Sequence, residues 1–249
     1  MNITHKNILT LFDVTGYNAV SVQTVIGLAV TSQSSLNALY IEDLNLLNAI
    51  ELPFAREIFL HTAEIKSIDS GLMVQRLNSC TKNIRQQIEK IARPKNIPVT
   101  FKTICGNKFQ AIKDYGTKSH MVFIPALYTG GHTVHQHAGT QTAIIYDEQC
   151  GTSDTALNIA LSYASNNCSE LFVIANSLRA KRQVEHLIKQ QHSVSAQVTV
   201  HMGLSEVFHL FNTHAPDLLI VPEGCQLVSN EKILQRLIGF PRSDILLVR

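Results

Sequence analysis

ILTLFDVTGYNAVSVQTVIGLAVTSQSSLNALYIED at residues 8–43 and AIIYDEQCGTSDTALNIALSYASNNCSELFVIAN at 143–176 follow one pattern. Each has an apolar run ending in Asp (Asp13, Asp147), a polar turn, an amphipathic helix, a second turn and a second apolar run. The closing segments also correspond: HMVFIPA at 120–126 and DLLIVPE at 217–223. A duplicated strand–helix–strand unit predicts an α/β fold built twice over, with candidate ligand clefts beyond the carboxyl ends of its strands.

Working outward, the apolar run over Asn7–Val14 suits a strand buried on both faces. Val22, Val25, Ile26 and Ala29 recur at helical spacing, and Leu36–Ile41 reads as the next strand. A long segment follows, then a helix over 69–93 with a stripe of Ile84, Ile88 and Ile91, ended by Arg93-Pro94 and Asn96. A strand at Pro98–Cys105, a short helix at 107–118 and a strand at 120–125 complete the first half. The second half predicts strands at 142–147, 170–175, 195–201 and 217–222 and helices at 152–165, 179–192 and 204–214. It adds a helix near 230–239 and a last strand, Asp244–Arg249.

The halves are unequal. Between the fourth strand and the second repeat lie only Ala126–Gln141, too few residues for a closing helix and strand. The first unit is therefore read as truncated after its fourth strand, with an open sheet edge that the other half or another chain must cover. The predicted division is 1–139 and 140–249, with a linker at about 126–140 that contains Gly130 and Gly131.

Bulk properties bound the function. The chain has 249 residues, 45% of them hydrophobic, which is ample for a large core. Its formal charge of +2 offers no electrostatic footprint for nucleic acid or an anionic membrane, and neither is expected as a partner. MNITHKNILT lacks the pattern of a secretory signal, and no apolar stretch approaches membrane-spanning length. Five cysteines without C-x-x-C spacing suit reduced thiols, so a cytoplasmic location is expected.

The repeated units, together with the tail LQRLIGFPRSDILLVR at 234–249, resemble tandem universal stress proteins across essentially the whole chain. The resemblance implies two doubly wound parallel-sheet units of strand order 3-2-1-4-5, forming an intramolecular pseudo-dimer, with a homodimer as the option for further assembly. It places candidate cleft residues at Asp13, Ile41, Asp147, Ile174 and Gly224, with the two aspartates near the adenine end. ATP-binding members run from the fourth strand into Gly-x2-Gly-x9-Gly-Ser/Thr, whose glycines and following helix admit phosphates.

This chain departs from that motif in both halves. In VPEGCQLVSNEKILQRL, Pro222 and Cys225 stand at the first two glycine positions, and Glu231-Lys232 stand at the Gly-Ser pair. In the first half Pro125 and Tyr128 replace the glycines, and the phosphate-binding helix is missing. The expectation is a non-enzymatic stress-response protein with no required cofactor. It would act through a protein partner or a small ligand, with family-type ATP binding lost or weak. A nucleotide-binding member using other loops is the first alternative. A second is a metal-dependent enzyme on the linker GGHTVHQHAG, where His132, His135 and His137 offer imidazoles at ligand-like spacing. A solvated His-rich linker accounts for the same residues. For Asp13 and Asp147 the alternative to ligand binding is strand-end capping, and for Cys225 the alternative to a reactive thiol is simple burial.

Overall fold

The computed structural model describes residues 6–13, 18–52, 54–58, 63–126, 141–190, 194–201, 203, 206–209, 216–225, 231–238 and 243–249. The predicted linker, apart from Ala126, lies outside them, as do His132, His135 and His137.

The first half begins with β1 (Asn7–Phe12), hydrogen-bonded on both sides to parallel strands, β2 (Ser35–Asp43) and β6 (Met121–Ile124). A strand with two parallel neighbours and helices above and below has no solvent face, which is why its run is apolar without alternation. Between β1 and β2 runs α1 (Ala19–Thr31), started by the Asn18 side chain, which accepts from the Ser21 N–H at 2.6 Å. Its buried face includes Val22, Val25, Ile26 and Ala29, as their spacing predicts. The edge strand β5 (Val99–Gly106) pairs with β2 and is much more exposed.

Two elements link β2 to the long helix α3 (Ser70–Ala92): a short helix α2 (Leu44–Ile50) and a separate hairpin, β3 (Arg56–Ile58) with β4 (Ile65–Ser67). Strands of three residues carry no readable periodicity, and the sequence predicts no hairpin there. Asp69 caps α3 through the Leu72 N–H, and Ile84, Ile88 and Ala92 are its buried stripe. The predicted helix over 107–118 is α4 (Lys108–Ala111), continued by a wide turn at Ile112–Gly116.

The second half runs β7 (Gln141–Tyr146), α5 (Ser153–Asn167), β8 (Glu170–Ala175), α6 (Leu178–Gln190) and β9 (Ala196–Val200). A helical turn at 206–209 precedes β10 (Leu218–Pro222), α7 (Glu231–Ile238) and β11 (Asp244–Val248).

All the long strands form one nine-stranded sheet, ordered β5-β2-β1-β6-β11-β10-β7-β8-β9. Counted within its own half, the first four strands read third, second, first, fourth. The remaining five, read inward from the other edge, are third, second, first, fourth, fifth. Among the described residues the first half has no fifth strand of its own, and β11 takes that place beside β6. It pairs with β10 in parallel and with β6 antiparallel, with Phe123 opposite Leu246 and Val122 opposite Leu247. One strand thus closes both halves, and the edge expected to be open is covered within the chain. Because β6 and β11 are antiparallel, the two sets of parallel strands run in opposite directions, and their carboxyl ends face opposite rims of the sheet.

Alternate residues of the buried strands feed two apolar layers. On one face Ile8, Phe12, Phe123 and Leu246 pack with α1, α3, α5 and α6; on the other Leu9, Leu11, Val122 and Leu247 pack with α4, the 206–209 turn and α7. The two halves touch through helices as well: Asn166 of α5 donates to Thr31 of α1 at 3.2 Å. Helices on both faces of a mostly parallel sheet are the doubly wound arrangement.

Candidate functional site

In an open α/β sheet a ligand is expected where the winding reverses, between the first and fourth strands of each half at their carboxyl ends. In the first half that place lies between the ends of β1 and β6. Asp13, which follows β1, makes an ion pair with Lys108 at 3.0 Å, and both side chains are largely buried. Lys108 opens α4, far along the chain from Asp13. No local spacing announces the pair, and the sequence reading misses this lysine.

The other group there comes from the second half. Asp244, the first residue of β11, is buried beside the end of β6, because β11 runs antiparallel to that strand. One of its carboxylate oxygens accepts from the Ser21 hydroxyl at 2.6 Å and from the Ala126 backbone N–H at 2.9 Å. A hydroxyl in the first turn of α1 and an N–H beyond the fourth strand are the kind of donors a phosphate would use at a switch point. Here a carboxylate of the chain itself takes them. Burial pushes the Asp244 carboxyl up to about 6 from its ordinary 3.8, against the lowering effect of its Ser21 and Ala126 hydrogen bonds. Desolvation therefore outweighs the donors.

The second switch point lies between β7 and β10. Thr152 at the start of α5 and Cys150 in the preceding turn both donate to the Glu223 carbonyl, at 3.2 and 3.3 Å. The turn after the first strand is thus fastened to the exit of the fourth. Asp147 is buried in this turn; its carboxylate accepts from the Asn176 amide at 2.7 Å and the Gln149 N–H at 3.0 Å. Those bonds tie the loop after β7 to the loop after β8. Next to it, Tyr146 donates to Asp154 at 2.6 Å, and burial, followed by that carboxylate, holds its hydroxyl well above the usual range.

The remaining candidates fall as follows. Ile41 and Ile174 sit near the carboxyl ends of β2 and β8, each almost fully buried in the same apolar layer. Gly224 is at a turn in which the Cys225 N–H donates to the Pro222 carbonyl, and its φ is +89°. That is the third position of a type II turn, where glycine is favoured. Gly224→Ala is expected to cost about 1 kcal/mol through backbone strain, read as a lowered midpoint in chemical denaturation. Cys225 is fully buried, in keeping with a packing role. Pro222 ends β10 and is buried, and α7 begins at Glu231. The first-half candidates (Asp13, Ile41) and the second-half candidates (Asp147, Ile174, Gly224) lie on opposite rims of the sheet. Among the described residues no group of three or more His, Cys, Asp or Glu side chains is arranged to hold a metal ion. No helix among them is long and apolar enough to cross a membrane.

No protein-family model matches the sequence, and no curated protein matches it. Solved structures do match the fold. A universal stress protein from Archaeoglobus fulgidus is similar over 98% of this chain and 96% of its own, with a TM-score of 0.54 and 12% identity. A functionally unknown protein from Pseudomonas aeruginosa is similar over 98% of this chain and 92% of its own, with a TM-score of 0.50 and 11% identity. With the strand order, the opposed halves and the shared fifth strand, this likeness along the whole chain assigns it the universal stress protein fold.

Proposed function

We propose that this chain is a non-enzymatic, cytoplasmic regulator of the universal stress protein type, acting by binding a small ligand or a protein, with family-type ATP binding lost or weak. The observation that carries the reading is Asp244. Its carboxyl, raised to about 6, is mostly ionised at neutral pH, so a negative charge occupies the donors at the first switch point. A triphosphate there would have to displace a buried group and overcome repulsion between like charges. In the second half the Thr152 and Cys150 bonds to Glu223 close the corresponding gap, and Pro222 brings no N–H to it. What remains is a regulatory scaffold in which the duplicated units hold each other in register.

Thermal denaturation with Mg-ATP tests this. Occupancy of a native site at 100 times its dissociation constant adds about 2.7 kcal/mol. For a chain of this size that is a shift of about 5–10 °C. The expected result is no resolvable shift at millimolar Mg-ATP. A saturable rise of several degrees that persists in Lys118→Glu, a change outside both switch points, would overturn the loss of ATP binding and favour the nucleotide-binding alternative.

A further inference from the structure

Beside the second switch point, with which it shares Glu223, an open cleft of about 460 Å³ lies where the halves meet, lined by Thr117, Lys118, Ser119, His120, Glu223 and Arg249. Its volume falls within the range of small-molecule sites. The first four residues form the loop that leads into β6. Glu223 and Arg249 stand at the carboxyl ends of β10 and β11. Neither half makes this cleft alone: it exists because β11 runs antiparallel to β6 and brings a carboxyl rim of one half beside an entry loop of the other.

The groups lining it are held in place. The Asn7 side-chain oxygen accepts from both the His120 N–H, at 2.9 Å, and His120 Nδ1, at 2.8 Å, which leaves Nε2 unused by this clip. The Asn7 amide in turn donates to the Lys118 carbonyl at 3.4 Å. The Arg249 N–H donates to the His120 carbonyl at 3.0 Å. Arg249 Nη2 donates to one Glu223 carboxylate oxygen at 2.7 Å, and Nε stands 2.6 Å from the other as an ion pair, which orients the guanidinium. Among the described residues Arg249 Nη1 is a buried donor with no hydrogen-bond partner. Gly116 leaves room for it, since a Cβ there would lie 3.2 Å from Nη1. Lys118 and Arg249 bring two cationic side chains to the cleft beside the Glu223 carboxylate, and Thr117 and Ser119 also line it.

We propose that this seam is an anion-binding site for a small molecule bearing phosphate or carboxylate groups, with Lys118 and Arg249 as its cationic groups and His120 lining it between them. Arginine and lysine beside hydroxyls are the side chains that recognise such oxygens. Glu223 orients the arginine and sets a limit on the negative charge the cleft accepts. The proposal rests on the small-ligand part of the reading above and gives that ligand a place and a chemistry. It also explains how a ligand would act: bound across β6 and β11, it bridges the two halves and stabilises their junction.

The test is thermal denaturation of the full chain with pyrophosphate and, separately, citrate, at constant ionic strength. The expected result is a saturable rise in Tm of several degrees with at least one anion. Lys118→Glu and His120→Gln, both at exposed positions, should each weaken it tenfold or more, whereas Lys189→Gln on the distant α6 should leave it intact. A response to pyrophosphate alone assigns phosphate chemistry, and to citrate alone carboxylate chemistry. No shift with either anion overturns the proposal, as does a shift that survives both Lys118→Glu and His120→Gln. A protein that ignores both anions yet is stabilised by an uncharged metabolite, or captured by a protein partner, keeps the regulatory reading and loses this site.

Discussion

Replacing Phe123 by Ala is expected to lower the unfolding free energy by about 3–5 kcal/mol, the range for deleting a buried aromatic ring. Phe123 has no exposed surface. It lies on β6 opposite Thr10 of β1 on one side and Leu246 of β11 on the other. It therefore packs in the core of the first half while bordering the one antiparallel pairing among the described residues of the large sheet. A cavity there weakens both the first half and its junction with the second. A protein of this size is marginally stable by roughly 5–15 kcal/mol, so one such cavity takes a large fraction of the total. Urea denaturation read by circular dichroism measures it. A cost below about 1 kcal/mol would mean that the seam collapses around the gap and is not a packed core.

Asp244→Asn is expected to change how stability varies with pH. The folded carboxyl is raised from 3.8 to about 6, so the native state holds this proton more tightly than the unfolded chain does. The resulting stability is fully present below about pH 4 and is lost as pH rises through about 6. A shift of about two units corresponds to about 3 kcal/mol at about 1.36 kcal/mol per unit. Asparagine keeps an oxygen to accept from Ser21 and Ala126 but cannot ionise. The difference in unfolding free energy, wild type minus variant, should therefore fall by up to about 3 kcal/mol between pH 4 and pH 7. Using the difference cancels the titration of other carboxylates common to both proteins. A difference that stays flat, or rises, across that window would show that Asp244 is not buried as a charge at the switch point. Asp244→Ala separates the two roles, since it also strands the Ser21 hydroxyl and the Ala126 N–H, an added cost of about 1–3 kcal/mol at every pH.

The two variants probe what the sequence made legible to very different degrees. Phe123 sits in an apolar run, HMVFIPA, that announces a buried strand to any reading of periodicity. Asp244 begins an equally readable strand, but nothing near it in the chain hints that its carboxylate ends up against Ser21. The same holds for Asp13 and Lys108, and for Thr152 and Cys150 against Glu223. Each pair joins residues whose separation along the chain is set by topology, so no local spacing encodes it. The β3–β4 hairpin escaped notice for the opposite reason: it is local, but its strands are too short to show a period.

Local physics accounts for the rest. Continuous apolar strands call for cover on both faces, as in parallel sheets, an apolar helical stripe calls for a packed layer beneath it, and sixteen residues between Ala126 and Gln141 leave no room for another helix and strand. The duplicated units, the doubly wound class and the missing fifth strand of the first half all follow from such rules. Which strand fills the gap, and in which direction, does not. Antiparallel entry of β11 beside β6 turns the two carboxyl rims to opposite sides, carries Asp244 into one switch point and brings Arg249 up to the loop of Lys118 and His120. Those outcomes depend on long-range strand pairing, where side chains more than a hundred residues apart settle the register together, and a chain read one segment at a time does not contain them.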